Sequence, residues 1–270
     1  MKGVSAMKKQ MFRMLCVVLA LALLAPNVFA ATPAPEAPLA DEATVTRVKN
    51  EIAAGQITDM EDLFLVAYQH IGADINEDGM TAYINEDGTL GFTQIISTTN
   101  GNARSGSSGV VEYAVTSLLL VDEYGKQITN YGSMQRTAPN PDYAYGGLDS
   151  VSVYATHTAY YREGIVDGLL HMQLHYMITT LDYGNDAYRA SRLLQEYEYE
   201  RTYGMGPEDS SSRTVDSPEE GRSYSFFPLA DWYLDGMSNG RLYSRATVYI
   251  QNTNLSFSLQ TVNSLFYSDD

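Results

Sequence analysis

The residues of this chain that could do chemistry fall into a few small sets, each with a plainer explanation beside it. His157, His171 and His175 lie close together in sequence, and imidazoles on neighbouring strands can ligate zinc or another transition metal. No fourth ligand or supporting partner is legible near them, and a polar strand face with one histidine tucked into the core explains them more simply. Asp74, Asn76 and Asp78, followed by Gly79, give the D-x-N-x-D-G opening of a calcium loop, in which oxygen ligands at alternate positions surround a hard cation. The twelfth loop position is Asn85, with Glu86 one residue late, so the bidentate carboxylate is missing. Ile75-Asn76-Glu77-Asp78-Gly79 also recurs as Ile84-Asn85-Glu86-Asp87-Gly88, a sequence that turns well without an ion. Calcium is therefore the single cofactor candidate, and otherwise none is expected.

Glu196 and Glu198 alternate with Tyr197 and Tyr199, which puts the carboxylates on one strand face at a spacing near that used in glycoside hydrolysis. An acidic solvent-facing stripe is the commoner origin of such a pattern. Gly236-Met237-Ser238-Asn239-Gly240 matches G-x-S-x-G, but a nucleophile elbow needs a strand before it and a helix after it. Here a turn-rich segment precedes Ser238 and the strand-like Arg241 to Ile250 follows. The remaining set is aromatic: 21 tyrosines and one tryptophan, with Tyr143, Tyr145 and Trp232 falling in or beside loops. Such rings give broad, rigid contact area at low entropy cost and can stack on sugars or peptides.

The elements that must position these residues change character along the chain. Val45, Val48 and Ile52 recur at helical spacing up to Gly55, and Thr58-Asp59-Met60-Glu61 reads as a capping box for a second helix with Met60, Leu63, Phe64, Ala67 and Ile71 on its apolar face. From about Tyr83 the period becomes two, and clusters of Gly, Asn, Asp and Pro punctuate runs of strand length. No alternation of strand and helix follows, so the pattern predicts a mainly β fold: an antiparallel β-sandwich, with a barrel as the alternative, preceded by a short N-terminal helical hairpin. The expected organisation is a leader over 1–30, a Pro/Ala-rich spacer over 31–40, the hairpin over 41–73 and the β domain over 74–270. The Gly-, Pro-, Ser- and acid-rich stretch from Met205 to Gly221 reads as a loop interrupting the sheet.

Lys2, Lys8, Lys9 and Arg13 precede an apolar run from Met14 to Leu24, then Pro26 and Val28-Phe29-Ala30, the layout of a secretory signal cleaved after Ala30. Its removal takes four of the 17 basic residues and none of the 33 acidic ones, moving the formal charge from −16 to −20. Such a surface repels phosphate backbones, which excludes a nucleic-acid groove. The single cysteine, Cys16, leaves with the leader, so the mature chain has neither a disulfide nor a thiolate metal site. No mature segment has the roughly 20 apolar residues of a membrane span. The expectation is a secreted or cell-surface, non-enzymatic module that binds an extracellular protein or glycan through Tyr143, Tyr145 and Trp232. The alternatives are a glycosidase-like extracellular hydrolase, with or without calcium to stabilise it, and a calcium-responsive structural component.

Overall fold

The computed structural model describes residues 40–85, 88–99, 109–122, 124–127, 151–166, 169–183, 189–200, 207–229, 233–234 and 241–262. Asp41 caps the first helix, α1 (Glu42–Ala54), its carboxylate accepting from Thr44 N at 2.7 Å, and Gly55 ends it in the left-handed region at φ 69°. The second, α2 (Met60–Gln69), begins one residue later than the capping box suggests. Asp59 accepts from Asp62 N, while Thr58 turns away to donate its hydroxyl to Glu51 at 2.6 Å. A single helical turn, α3 (Ile75–Asp78), follows where a β-turn was expected.

The rest is antiparallel sheet. The strands are β1 (Met80–Ile84), β2 (Leu90–Thr99), β3 (Val110–Asp122), β4 (Val151–Val166), β5 (Leu169–Asp182), β6 (Ala190–Glu200), β7 (Pro207–Asp216), β8 (Ser223–Phe226), β9 (Tyr233–Leu234), β10 (Arg241–Ile250) and β11 (Ser256–Val262). They form a seven-stranded sheet in the order β1-β2-β3-β4-β5-β8, with β9 also on β5, and a four-stranded sheet in the order β11-β10-β6-β7. The chain leaves the large sheet after β5, returns for β8 and β9, and leaves again. Two packed sheets result, a sandwich rather than a closed barrel, with helices at the N-terminal end as the pattern predicts.

Strand β7 lies inside the stretch read from sequence as a loop. Pro-Glu-Asp-Ser-Ser-Ser-Arg-Thr-Val-Asp has no apolar alternation to announce it, because most of its described side chains face solvent. Its backbone ladder to β6, from Arg192 opposite Asp216 to Glu200 opposite Pro207, is what makes it a strand.

The large sheet is covered on both faces. On one, Val48 and Ile52 of α1 and Leu63, Phe64 and Val66 of α2 pack with Leu90, Phe92, Leu118 and Leu120 in one cluster. Gln94 Nε2 donates to Lys49 O at 3.0 Å and Tyr160 Oη to Ile52 O at 2.5 Å, tying the end of α1 to the sheet. On the other face the small sheet closes the sandwich around two clusters. One contains Leu119, Val153, Leu181, Leu193 and Val248, and the other Val115, Ala159, Met177, Tyr197 and Leu242.

A bulge in β5 decides which way its side chains point. Tyr160 lies opposite Tyr176 but Tyr161 lies opposite Leu174, leaving His175 as the extra residue. Before it, Met172 and Leu174 enter the sandwich; after it, Tyr176 and Ile178 turn to the helix side and Met177 to the sandwich. The continuous apolar face from Leu170 to Ile178 that simple alternation suggests is split in two, since an added residue shifts a period of two by one.

Candidate functional site

Between the two clusters inside the sandwich runs a row of polar side chains: Ser117, His157 and Thr179 from the large sheet, Gln195 and Ser244 from the small one, none more than 1% exposed. His157 contacts Thr179 Oγ1 through Nδ1 at 2.9 Å and Ser244 Oγ through Nε2 at 2.7 Å. The hydrogens follow from the end of the chain. A thioether only accepts, so Ser244 donates to Met177 Sδ at 3.3 Å. Ser244 Oγ then accepts from His157 Nε2–H, and the remaining Nδ1 accepts from Thr179. Thr179 Oγ1 in turn accepts from Gln195 Nε2 at 3.1 Å, whose second hydrogen goes to Tyr224 O at 2.9 Å.

Ser244 and His157 stand at the separation of a nucleophile and its base, but the pair cannot act as one. The proton runs from imidazole to serine, a threonine occupies the place of an orienting carboxylate, and the group is sealed from solvent. Burial lowers the His157 pKa to about 3, so the ring is held neutral. This is a structural network. Sequence reasoning missed Ser244, whose one signal is a polar residue at an inward strand position.

The histidines do not converge. His157 lies between the sheets, while His175 is exposed at the bulge, and His171 is opposite Gly164 farther along β5. Among the described residues, no three His, Cys, Asp or Glu side chains gather as a metal cluster. Asp74 caps α3, its Oδ1 accepting from Asn76 N and Nδ2, both at 2.9 Å, while Asn76 and Asp78 are exposed. His70 is buried on α2 rather than solvated, its Nδ1 donating to Val66 O at 2.7 Å with the ring against Phe92.

Glu196 and Glu198 stand on the outer face of the small sheet, opposite Arg245 and Tyr243 on β10 and Ser212 and Ser210 on β7. These residues line a shallow recess of about 290 Å³. Both carboxylates project from one strand in the same direction. Two groups acting on one glycosidic bond must instead flank it. Ser238, Tyr143, Tyr145 and Trp232 lie outside the described residues.

The convergence that sequence did not announce is on the helix side of the large sheet. Tyr160 and Tyr176 stack with centroids 4.0 Å apart and 11° between planes, and Phe227 continues the stack over Tyr176 at 5.4 Å and 24°. The ladder rises from a buried ring to one that is 63% exposed. Beside it Glu112 and Arg162, cross-strand neighbours on β3 and β4, pair at 2.6 Å, and Ser97 donates to the same carboxylate at 3.2 Å. His175 meets the Tyr176 ring edge-on at 5.1 Å. Tyr160, Tyr176, Glu112, Arg162 and His175, with Ala53 and Ile96, line a recess of about 180 Å³. Burial and the adjacent Arg162 guanidinium hold His175 below its usual pKa, against the pull of Glu112. Burial raises the phenol pKa of both Tyr160 and Tyr176.

A broader trough of about 890 Å³ follows the outer side of α1. Its principal charges already serve one another: Arg47 pairs with Glu51 at 3.0 Å and with Asp62, and Glu51 holds Thr58. The aromatic recess combines apolar rings with polar groups at its rim, as small-ligand sites do. Compared with known proteins, the chain matches no family model, no curated protein and no solved structure.

Proposed function

We propose that this protein is a secreted binding module that recognises an extracellular protein or glycan, without covalent chemistry. The observation that carries the reading is the Tyr160–Tyr176–Phe227 ladder, which brings stacked rings from the core to an exposed end, with the Glu112–Arg162 pair beside its middle ring. An exposed aromatic held by a stack beneath it is already ordered, so a partner loses little entropy on docking there. The charged leader and apolar run support export.

The reading is tested by passing the mature protein over immobilised panels of extracellular glycans and of extracellular proteins. Binding to a member of either panel, weakened about tenfold or more by Phe227→Ala and retained by Glu198→Gln on the opposite layer, supports it. Silence on both panels, or binding that ignores Phe227, overturns it.

A further inference from the structure

We propose that the free edge of β7 is a docking site for an extended segment of an extracellular protein bearing lysine or arginine at alternate positions, which adds to the small sheet as a fifth strand. The site lies in the layer away from Phe227 and goes beyond the ladder reading, so either can fail without the other.

The backbone makes the first case. Strand β7 ends the order β11-β10-β6-β7, and with 10 residues it is the longest edge strand among the described residues. Ser217 N donates to Ser191 O at 2.8 Å, so these two residues form a hydrogen-bonded pair. Alternation from there bonds Val215, Arg213, Ser211 and Asp209 to β6, and the N–H and C=O groups of Ser210, Ser212, Thr214 and Asp216 point off the sheet. All four are exposed, and among the described residues no backbone group meets them. The other edges are less inviting. Ala82 N donates to His70 O and accepts Gly72 N at its own carbonyl, which closes the middle of β1. Strand β8 has 4 residues, and Arg213 of β7 donates to its Ser225 O. Strand β11 carries no charge to select a partner.

Charge and shape choose the occupant. Ser212 and Ser210 share the outer face with Glu196 and Glu198, directly opposite on β6. Among the described residues neither glutamate is in an ion pair. Arg245, the β10 neighbour of Glu196, turns instead to Gln260, its Nη2 donating at 2.7 Å. The serines are short, and the recess of about 290 Å³ lies over them. With strands about 4.8 Å apart, a residue opposite Ser212 on an added strand stands roughly 10 Å from Glu196. A lysine laid over the serine spans that distance, and the next outward residue reaches Glu198 in the same way. Intervening residues adjoin Ser211, Arg213 and Val215 on the other face, where small or apolar side chains suit. A glycan has no row of N–H and C=O groups to match a strand edge. A second copy of this chain, with 33 acidic and 17 basic residues, is repelled where a basic strand is drawn in.

The experiment is a ¹H–¹⁵N NMR titration of the mature protein with a capped peptide of about nine residues, lysine alternating with valine and threonine. Two comparators separate charge from pairing: the same peptide with glutamate for lysine, and the lysine peptide N-methylated at each lysine, which keeps the charge and loses the donors that face β7. Saturable binding is expected, with a dissociation constant on the order of 0.1 mM that rises with salt. The amides of Ser210, Ser212 and Thr214 should gain protection from hydrogen exchange. Ser212→Pro removes one outward donor and spares the β6 ladder; it should weaken binding about tenfold or more. Glu196→Gln and Glu198→Gln should each weaken it about two- to fivefold, and Phe227→Ala should leave it unchanged. If the proline variant unfolds, amide protection in the natural protein decides. No binding, glutamate or N-methylated peptide bound as tightly, or no protection along β7 would overturn the inference. So would binding lost through Ser258→Pro on β11 and indifferent to Ser212→Pro, which moves the added strand to the opposite edge.

Discussion

His157 is the residue whose surroundings most constrain its chemistry. Its neighbours at hydrogen-bonding distance, Thr179 and Ser244, are neutral, and both ring nitrogens are already used. Burial therefore favours the uncharged ring, and the proton sits on Nε2. A ¹⁵N spectrum should show Nδ1 as the bare nitrogen at neutral pH. The consequence for stability has a definite sign. Well above pH 6.5 neither folded nor unfolded chain protonates His157, and the stability is complete. As pH falls from 6.5 towards about 3 the unfolded chain takes up a proton that the folded chain refuses. Each pH unit in that window then removes about 1.4 kcal/mol from this group alone. Urea unfolding at stepped pH should show the loss in the natural protein and a shallower one in His157→Gln. Parallel curves would mean that the ring titrates normally. Ser244→Ala strands the Nε2 hydrogen in the core and should cost about 1 to 3 kcal/mol at neutral pH, read from the same unfolding curves.

Single positions on the elements hold the recess in shape. Gly55 ends α1 at φ 69°, and a Cβ there would stand 2.5 Å from Ile178 Cδ1, with Tyr160 Oη and Tyr176 Cε2 at 3.6 and 3.8 Å. Gly55→Ala therefore combines a left-handed backbone penalty with overpacking against the floor of the ladder. A loss of about 2 to 4 kcal/mol is expected in chemical denaturation, with altered tyrosine near-ultraviolet dichroism. Loss of only a few tenths would mean that Ile178 yields freely. Asp74 caps α3 through its contacts to Asn76. Asp74→Ala should remove the stability of a cap, about 1 kcal/mol, seen as a thermal midpoint lowered equally in calcium and in chelator. A larger effect in calcium would instead make Asp74, Asn76 and Asp78 an ion site, as the D-x-N-x-D-G spacing suggests. The β5 bulge belongs to this scale too. One extra residue turns Tyr176 towards Tyr160, and without it the ladder would have its middle ring inside the sandwich.

At the scale of the whole molecule, the helices and the large sheet share one core, since Val48, Ile52, Phe64 and Val66 pack with Leu90, Phe92, Leu118 and Leu120. The hairpin is therefore a layer of the fold and not an appendage. Deleting residues 41–73 uncovers those sheet residues and should leave a chain that aggregates or binds hydrophobic dye, whereas residues 31–270 should unfold cooperatively. A soluble, cooperative 74–270 fragment would show that the sandwich stands alone. What the sequence determined by itself is local and periodic: two capped helices by their 3.6-residue spacing, the strands by alternation, and the turns by Gly, Asn and Asp. With no strand–helix alternation present, those local signals also imply a sandwich with helices in front. Strand β7 escaped because an exposed edge strand has no apolar alternation to read, only a ladder to its neighbour. The aromatic recess and the ladder beside it escaped for a related reason: Glu112, Arg162, Tyr176 and Phe227 come from β3, β4, β5 and the segment after β8, and none is unusual in its own stretch. Only the tertiary structure decided that site and the His157 network. Register, a one-residue bulge and the stacking of layers set which distant side chains meet, and these depend on long-range pairing that no window of sequence contains.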